Sequence, residues 1–320
     1  MTFKKPEKMS DYHEPVLKEE VLQYLNFKEE GIIVDATLGD GGHSELLLQN
    51  TSPGLRIIGV DRDPEALERA RKRLSPFGDR ILFANNNYSE ILRILKDRGI
   101  QAVDGILMDL GVSSPQLDTP GRGFSFMREG FLDMRMSQDE ETTAADLLQN
   151  LSDVELATLF KEYGEERYAR RAVRAIRKAQ AEAPIESTLQ LSKIISSALP
   201  YSRTSRIHPA TRVFQALRIA VNQELDHLRT TLEDSLSVLK AGGRLVVISF
   251  HSLEDRIVKH FFRDEEKGCV CPPKIPLCVC GRKPRLKVLT RRVVIPKKEE
   301  VALNPRASSS KLRVAERVYV

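Results

Sequence analysis

The first 110 residues are built from short apolar runs, most of them ending on an aspartate, with helix-like stretches between them. Gly31-Ile-Ile-Val-Asp35, Arg56-Ile-Ile-Gly-Val-Asp61, Arg80-Ile-Leu-Phe-Ala84 and Val103-Asp-Gly-Ile-Leu-Met-Asp109 read as buried parallel strands. They are too short for helices and too continuously apolar for strands with one wet face. Between them, Pro64 to Leu74 reads as a helix, with Asp63 placed as its N-cap and proline in its first turn. Alternation of this kind predicts a doubly wound α/β sheet. A fifth strand, Gly243 to Ser249, arrives more than 130 residues after the fourth. The helix feeding it is expected from about Asn222 to Lys240, closed by Gly242 as a C-cap.

The intervening stretch is therefore an insertion. Thr143 to Gln149, Ser152 to Tyr163, Arg167 to Ala181 and Thr188 to Ala198 all carry helical periodicity. Ahead of them lies a loop, Thr119-Pro-Gly-Arg-Gly-Phe-Ser-Phe126, punctuated by glycine and proline. The expected organisation is a discontinuous core, residues 1–116 and 209–320, around an inserted helical domain at 117–208. After the fifth strand, Ser252 and Asp255 resemble a capping box opening a helix from Leu253 to Phe262. Strand-like Leu286 to Ile295 and Lys311 to Val320 predict a strand pair added to the sheet.

A chain of 320 residues with 41% hydrophobic content has material for about two domains. No apolar run exceeds four residues, which excludes a membrane-spanning helix, and MTFKKPEKMS lacks the apolar region of a secretion signal. A cytoplasmic protein with no membrane partner is expected. The net charge of +5 hides a split: residues 267–298 hold ten Lys/Arg and no acid. All four cysteines fall there, as Cys269-x-Cys271 and, six residues on, Cys278-x-Cys280. Such crowding fits a thiolate zinc site or reduced surface thiols, and no metal ligand is assigned on spacing alone.

Two constellations carry chemistry. Asp35-Ala-Thr-Leu-Gly-Asp-Gly-Gly-His-Ser44 ends a strand and opens a helix, where glycines let backbone approach a ligand. Nineteen residues after Gly42, Asp61 closes the second strand, placed to accept hydrogen bonds from the ribose of an adenosine-type ligand. The loop lacks a third glycine for a dinucleotide fingerprint and the Lys-Ser/Thr of a P-loop. The second constellation, Asp109-Leu-Gly-Val-Ser-Ser-Pro-Gln-Leu-Asp118, closes the fourth strand, and ligands of open α/β sheets bind beyond such carboxyl ends. Its Ser114-Pro115-Gln116 is similar to the Ser/Asn/Asp-Pro-Pro-aromatic element of enzymes that methylate exocyclic amines of bases.

With these motifs, and with RGFSF at 122–126, LDMRM at 132–136, YGEERYARR at 163–171, HPATRVFQALRIAVNQEL at 208–225 and GGRLVVISFHSLEDRIVK at 242–259, the chain resembles the MraW-type 16S ribosomal RNA cytidine-N4 methyltransferases. The resemblance runs from Tyr12 to about residue 260 and resumes at 304–318. It implies a Rossmann-like class I S-adenosylmethionine-dependent methyltransferase core with an inserted helical domain that recognises substrate. The implied reaction moves a methyl group from S-adenosyl-L-methionine to a cytidine N4 in the decoding region of 16S rRNA, within the small ribosomal subunit. Cofactor contacts carried over are Gly41, Gly42, His43, Asp61, Tyr88, Asp109 and Gln116. Asp109 and Ser114 are the expected acceptors for the protons of the attacking amine.

RNA contact is expected on the insertion. Arg167, Arg170, Arg171, Arg174, Arg177 and Lys178 recur at helical spacing opposite Ala169, Ala172, Val173 and Ile176. The first four of these arginines are the candidate phosphate contacts. Arg203, Arg206, His208 and Arg212 form a second basic cluster. Phe124 and Phe126 are placed either to stack on a splayed base or to pack the insertion.

Overall fold

The computed structural model describes residues 14–25, 30–200, 208–269, 271–272, 277 and 279–318. The chain divides into two compact units, residues 1–111 with 227–320, and Val112–Asp226. No helix among the described residues is long and apolar enough to cross a membrane.

In the first unit, strands β1 (Glu30–Asp35), β2 (Gly54–Asp61), β3 (Ile81–Asn85), β4 (Val103–Asp109), β5 (Leu239–Ser249), β6 (Leu286–Val288) and β7 (Lys311–Arg317) form one sheet in the order β3-β2-β1-β4-β5-β7-β6. The first five run parallel, and β7 is antiparallel to both β5 and β6. Along every central strand, neighbouring residues go to opposite cores because side chains alternate with period two. Val34, Ile58, Ile106, Met108, Leu245 and Val247 face one core. It is completed by α4 (Ile91–Lys96), α11 (Glu224–Val238) and α12 (Ser252–Lys267). Ile33, Ile57, Leu107, Val246 and Ile248 face the other, covered by α1 (Lys18–Leu25), α2 (Gly42–Gln49) and α3 (Pro64–Leu74). Burial on both faces is what the unbroken apolar runs require. The Asp63 side chain caps α3 by accepting from Glu65 N–H at 3.1 Å.

Three local expectations are corrected in this unit. Gly242 does not cap a helix. The α11 helix ends at Val238, and Gly242, at φ +78°, lies in a bulge of β5 where the register with β4 jumps from Leu239 to Arg244. The helix after β5 is capped one residue earlier than expected: Glu254 accepts from Phe250 N–H (2.9 Å) and His251 N–H (3.4 Å). Asp255 is instead drawn to Arg313 of β7, 2.6 Å away. Of the strand-like stretch after Leu286, three residues pair as β6, and Val294 makes only an isolated bridge to Leu312.

The second unit is helical: α5 (Ser114–Asp118), α6 (Ala144–Asn150), α7 (Asp153–Glu162), α8 (Ala169–Gln180), α9 (Thr188–Ala198) and α10 (Thr211–Val221). Its extent differs from the expected 117–208, because Val213, Phe214, Leu217 and Val221 of α10 bury their apolar face in this unit's core with Phe160, Val173 and Leu191. The RGFSF and LDMRM motifs are part of its scaffold. Buried Arg122 donates to the carbonyls of Arg135 (3.2 Å) and Met136 (2.9 Å). Asn222, 1% exposed, accepts from Met136 N–H at 2.8 Å and donates to Met134 C=O at 2.7 Å. Phe124 is buried in the core, and Phe126 stacks on His208 at 4.8 Å and meets Phe214 edge-on, so both aromatics pack the insertion.

Asn222→Ala removes both of those buried hydrogen bonds at once. A loss of about 2–3 kcal/mol is expected in chemical denaturation followed by far-UV circular dichroism. A change below about 0.5 kcal/mol contradicts this account of the loop.

Candidate active site

The carboxyl ends of β1, β2 and β4 are adjacent in the sheet and each ends on an aspartate. The backbone keeps pairing past them: Ala36 N–H donates to Leu107 C=O and Leu38 N–H to Val60 C=O, both at 2.9 Å. The Thr37 hydroxyl accepts from Asp109 N–H at 2.6 Å, tying the glycine turn to the end of β4. Asp61 accepts from Gly39 N–H (2.8 Å) and Asp63 N–H (2.9 Å). Burial nonetheless pushes its carboxyl up to about 6. Asp35, 1% exposed, accepts from the Ser44 hydroxyl at 2.7 Å. Burial raises its pKa too, against the downward pull of that hydrogen bond and of His43.

His43 and Asp109 are different. His43 is buried in the first turn of α2, with Nε2 3.4 Å from Asp109 Oδ2, too far and too poorly aligned for a good hydrogen bond. Both ring nitrogens of His43 and Oδ1 of Asp109 are buried with no hydrogen-bond partner among the described residues. Native proteins rarely leave such atoms unmatched, so a water or a ligand is expected to complete them. Tyr88 follows β3, packed against the core and edge-on to His227, while Asn85 Nδ2 and Asn86 N–H both donate to Asp61 C=O.

The glycines do not all share one task. Gly41 takes φ +79°, and a Cβ there meets Leu74 of α3 at 2.8 Å. A Cβ on Gly42 meets Pro15 and Arg73 only at ordinary contact distance, 3.4 Å, so packing and a left-handed backbone hold Gly41 small but not Gly42. Gly39 faces open space and donates its N–H to Asp61, which makes it the open backbone of the turn. Its place in Gly39-x-Gly41 was the signal for it. His251 is a second residue that the sequence reading passed over. It sits just after β5 with little exposure, Nε2 3.1 Å from Glu254 Oε1. A histidine and glutamate directly after a buried strand were the available hint.

The remaining candidates belong to the second unit. Ser114 opens α5, and Gln116 is buried as the partner of Ser113 in that helix's capping box, its Oε1 accepting from Ser113 N–H at 3.0 Å. Arg167, Arg170, Arg171 and Arg174 are exposed and line a cavity of about 1120 Å³ with Lys161, Tyr168 and others. None of the four pairs with a carboxylate among the described residues. Arg177 leaves the stripe: it binds Asp153 at 2.6 Å and donates to the carbonyls of Leu148 and Leu151, clamping α6 and α7. Arg203, Arg206 and Cys278, and Tyr12 at which the resemblance begins, lie outside the described residues.

An antiparallel β7 slotted between β5 and β6, on an otherwise parallel sheet, separates this core from the dinucleotide-binding folds and makes it a Rossmann-like class I methyltransferase core. The model of the MraW methylase family matches residues 10–318, and the chain belongs to that family. The ribosomal RNA small subunit methyltransferase H of Geobacter sulfurreducens is 55% identical over 311 residues, covering 97% of this chain and 100% of the relative. That of Carboxydothermus hydrogenoformans is 52% identical over 306 residues, covering 96% and 98%. Among solved structures, an rRNA methylase from Streptococcus thermophilus matches at 12% identity and a TM-score of 0.41, over 94% of each chain.

Asp61 gives a prediction with a definite sign. An acid whose folded pKa, here about 6, exceeds its unfolded value near 3.8 binds more protons when folded. Stability from this group therefore falls as pH climbs from about 4 to about 6, with a limiting slope of about 1.4 kcal/mol per unit. Denaturation of wild type and Asp61→Asn across that window should show the wild type losing stability relative to the variant as pH rises. Parallel curves would refute the assignment.

Proposed function

We propose that this protein transfers a methyl group from S-adenosylmethionine to the N4 amino group of a cytidine in the decoding region of 16S ribosomal RNA, within the small subunit. The observation that carries the reading is the unmatched pair at the end of β4 and the start of α2, Asp109 and His43, beside a glycine turn and the ribose acceptor Asp61. The relatives' name, ribosomal RNA small subunit methyltransferase H, supports the rRNA part. The residues present fit the cofactor: Gly39 leaves space, Asp61 is an acceptor at a strand end, and Asp109 Oδ1 is a buried acceptor awaiting a donor. Gly41, Gly42, His43, Asp61, Tyr88, Asp109 and Gln116 are the proposed cofactor contacts.

The cofactor supplies a methyl group already activated on a sulfonium, so the protein needs no nucleophile of its own. What this chain must do is align the amine and accept its proton. The N4 lone pair is delocalised into the cytosine ring, and carboxylate or hydroxyl acceptors on its protons favour a tetrahedral nucleophile. Asp109 and Ser114 are assigned that role. Thr37 holds the Asp109 backbone, which fixes where its carboxylate emerges. The cavity lined by Arg167, Arg170, Arg171 and Arg174 supplies unpaired cations for phosphates, with the half-exposed Tyr168 ring among them.

Labelled S-adenosylmethionine offered with small subunits lacking the modification should yield N4-methylcytidine after nuclease digestion, with naked 16S rRNA run in parallel. Absence of label in both, or label only in N6-methyladenine, overturns the reading. Asp109→Asn should lower kcat by about 10²–10³. Ser114→Ala is expected to cost less, because a hydroxyl is the weaker acceptor. Full turnover in both variants would remove these residues from the chemistry.

The arginines act on binding instead. Arg170→Ala with Arg174→Ala should weaken RNA affinity and lower the slope of log K against log salt by about 1.4–1.8, for two phosphate contacts. An unchanged slope means that the cavity does not face phosphate.

A further inference from the structure

The segment between α12 and β6 holds all four cysteines and much of the excess positive charge, and methyl transfer leaves it without a task. Its described cysteines, Cys269, Cys271 and Cys280, bring their sulfur atoms within 4.8 Å of one another, although eleven positions separate the first from the last. Cys280 Sγ lies 3.8 Å from Cys269 Sγ. Disulfide sulfurs are about 2.05 Å apart, so this spacing is not a disulfide's. It is the spacing of a thiol–thiol hydrogen bond and also one that a metal can use: with metal–sulfur bonds of about 2.3 Å in tetrahedral geometry, neighbouring sulfurs stand about 3.8 Å apart.

Two further observations point the same way. The Val279 N–H is aimed at Cys271 Sγ, 3.4 Å away, and backbone amides directed at ligand sulfur support and orient metal thiolates. The loop is also closed around the cluster by contacts that do not involve sulfur. Buried Glu265, near the end of α12, accepts from Arg282 Nη2 at 2.8 Å and binds Arg285, whose N–H donates to Glu265 C=O at 2.9 Å. The two ends of the segment are thus pinned together, and the thiols meet without a covalent link.

We propose that Cys269, Cys271 and Cys280 form a structural zinc site that staples this basic loop. Thiolates are soft ligands suited to zinc, and three of them leave one place of a four-coordinate ion to a further ligand. Three thiolates on one Zn²⁺ carry a net charge of −1, which suits a segment with ten Lys/Arg and no acid over residues 267–298. The bound ion would tie the cysteines to exposed Lys283 and to Arg282, which Glu265 already holds. Nothing in the proposal requires Cys278.

Zinc is the probe. The full-length chain, purified with reductant and passed through a desalting column, should retain about one equivalent of zinc by elemental analysis. After chelator stripping, Co²⁺ should produce the thiolate charge-transfer and visible bands of a tetrahedral sulfur-rich site, and added zinc should bleach them. Cys269→Ser combined with Cys280→Ser should lose both the zinc and the cobalt bands while keeping its far-UV circular dichroism. Should that variant misfold, thiol titration of the wild-type chain substitutes for it, with more reactive cysteines expected after chelation than before. Substoichiometric zinc with no tetrahedral cobalt spectrum, unchanged zinc in a folded double variant, or equal thiol reactivity with and without chelator each overturns the proposal.

Discussion

The adjacency of β1 and β4 is the constraint on which the carboxyl end of the core depends. Their pairing sets Asp35 beside Leu107, and the Thr37 hydroxyl bound to Asp109 N–H extends that pairing into the turn. Two carboxylates and the His43 imidazole are thereby gathered where two strands end and a helix begins. Strands buried on both faces leave little room for slippage, because a shift of one residue would exchange the two cores. The site inherits its precision from a sheet whose residues alternate strictly between Val34-type and Ile33-type environments.

Most of this was legible in the sequence, for a physical reason. Continuous apolar runs have few ways to be buried, so the strands and their polar ends could be read directly. Helix starts with a strong side-chain cap, such as Asp63 before Pro64, were equally plain. Gly242 was misread because a glycine after a helical pattern fits a C-cap as well as a bulge, and only pairing with β4 distinguishes them. The box at Ser252 failed because capping depends on where the chain leaves the sheet, and the competing Arg313 that captures Asp255 lies 58 residues away.

The site residues were readable as types but not as tasks. Gly41 stood out as a glycine, yet what keeps it small is Leu74 of α3, a neighbour that spacing does not reveal. Arg177 shared the periodicity of the arginine stripe, but its guanidinium is used up on Asp153 and two carbonyls. Phe126 fitted a stacking platform and a packing residue equally well, and it stacks on His208. In each case the residue's chemistry was visible and its partner was not.

Hydrogen-bond satisfaction then separates the residues that build this protein from those left to act. Arg122, Asn222 and Arg80 are polar groups inside recognisable motifs or turns, and each spends its donors on specific carbonyls. Such groups rigidify what they touch, and removing them exposes the desolvation they had offset. Both ring nitrogens of His43 and Oδ1 of Asp109 are buried without that return. An unmatched buried acceptor beside an imidazole calls for something outside the chain, a water or a ligand, to complete it. By this criterion RGFSF and LDMRM are architecture, while His43 at the start of α2, Asp109 at the end of β4 and His251 after β5 hold the buried atoms left to be completed.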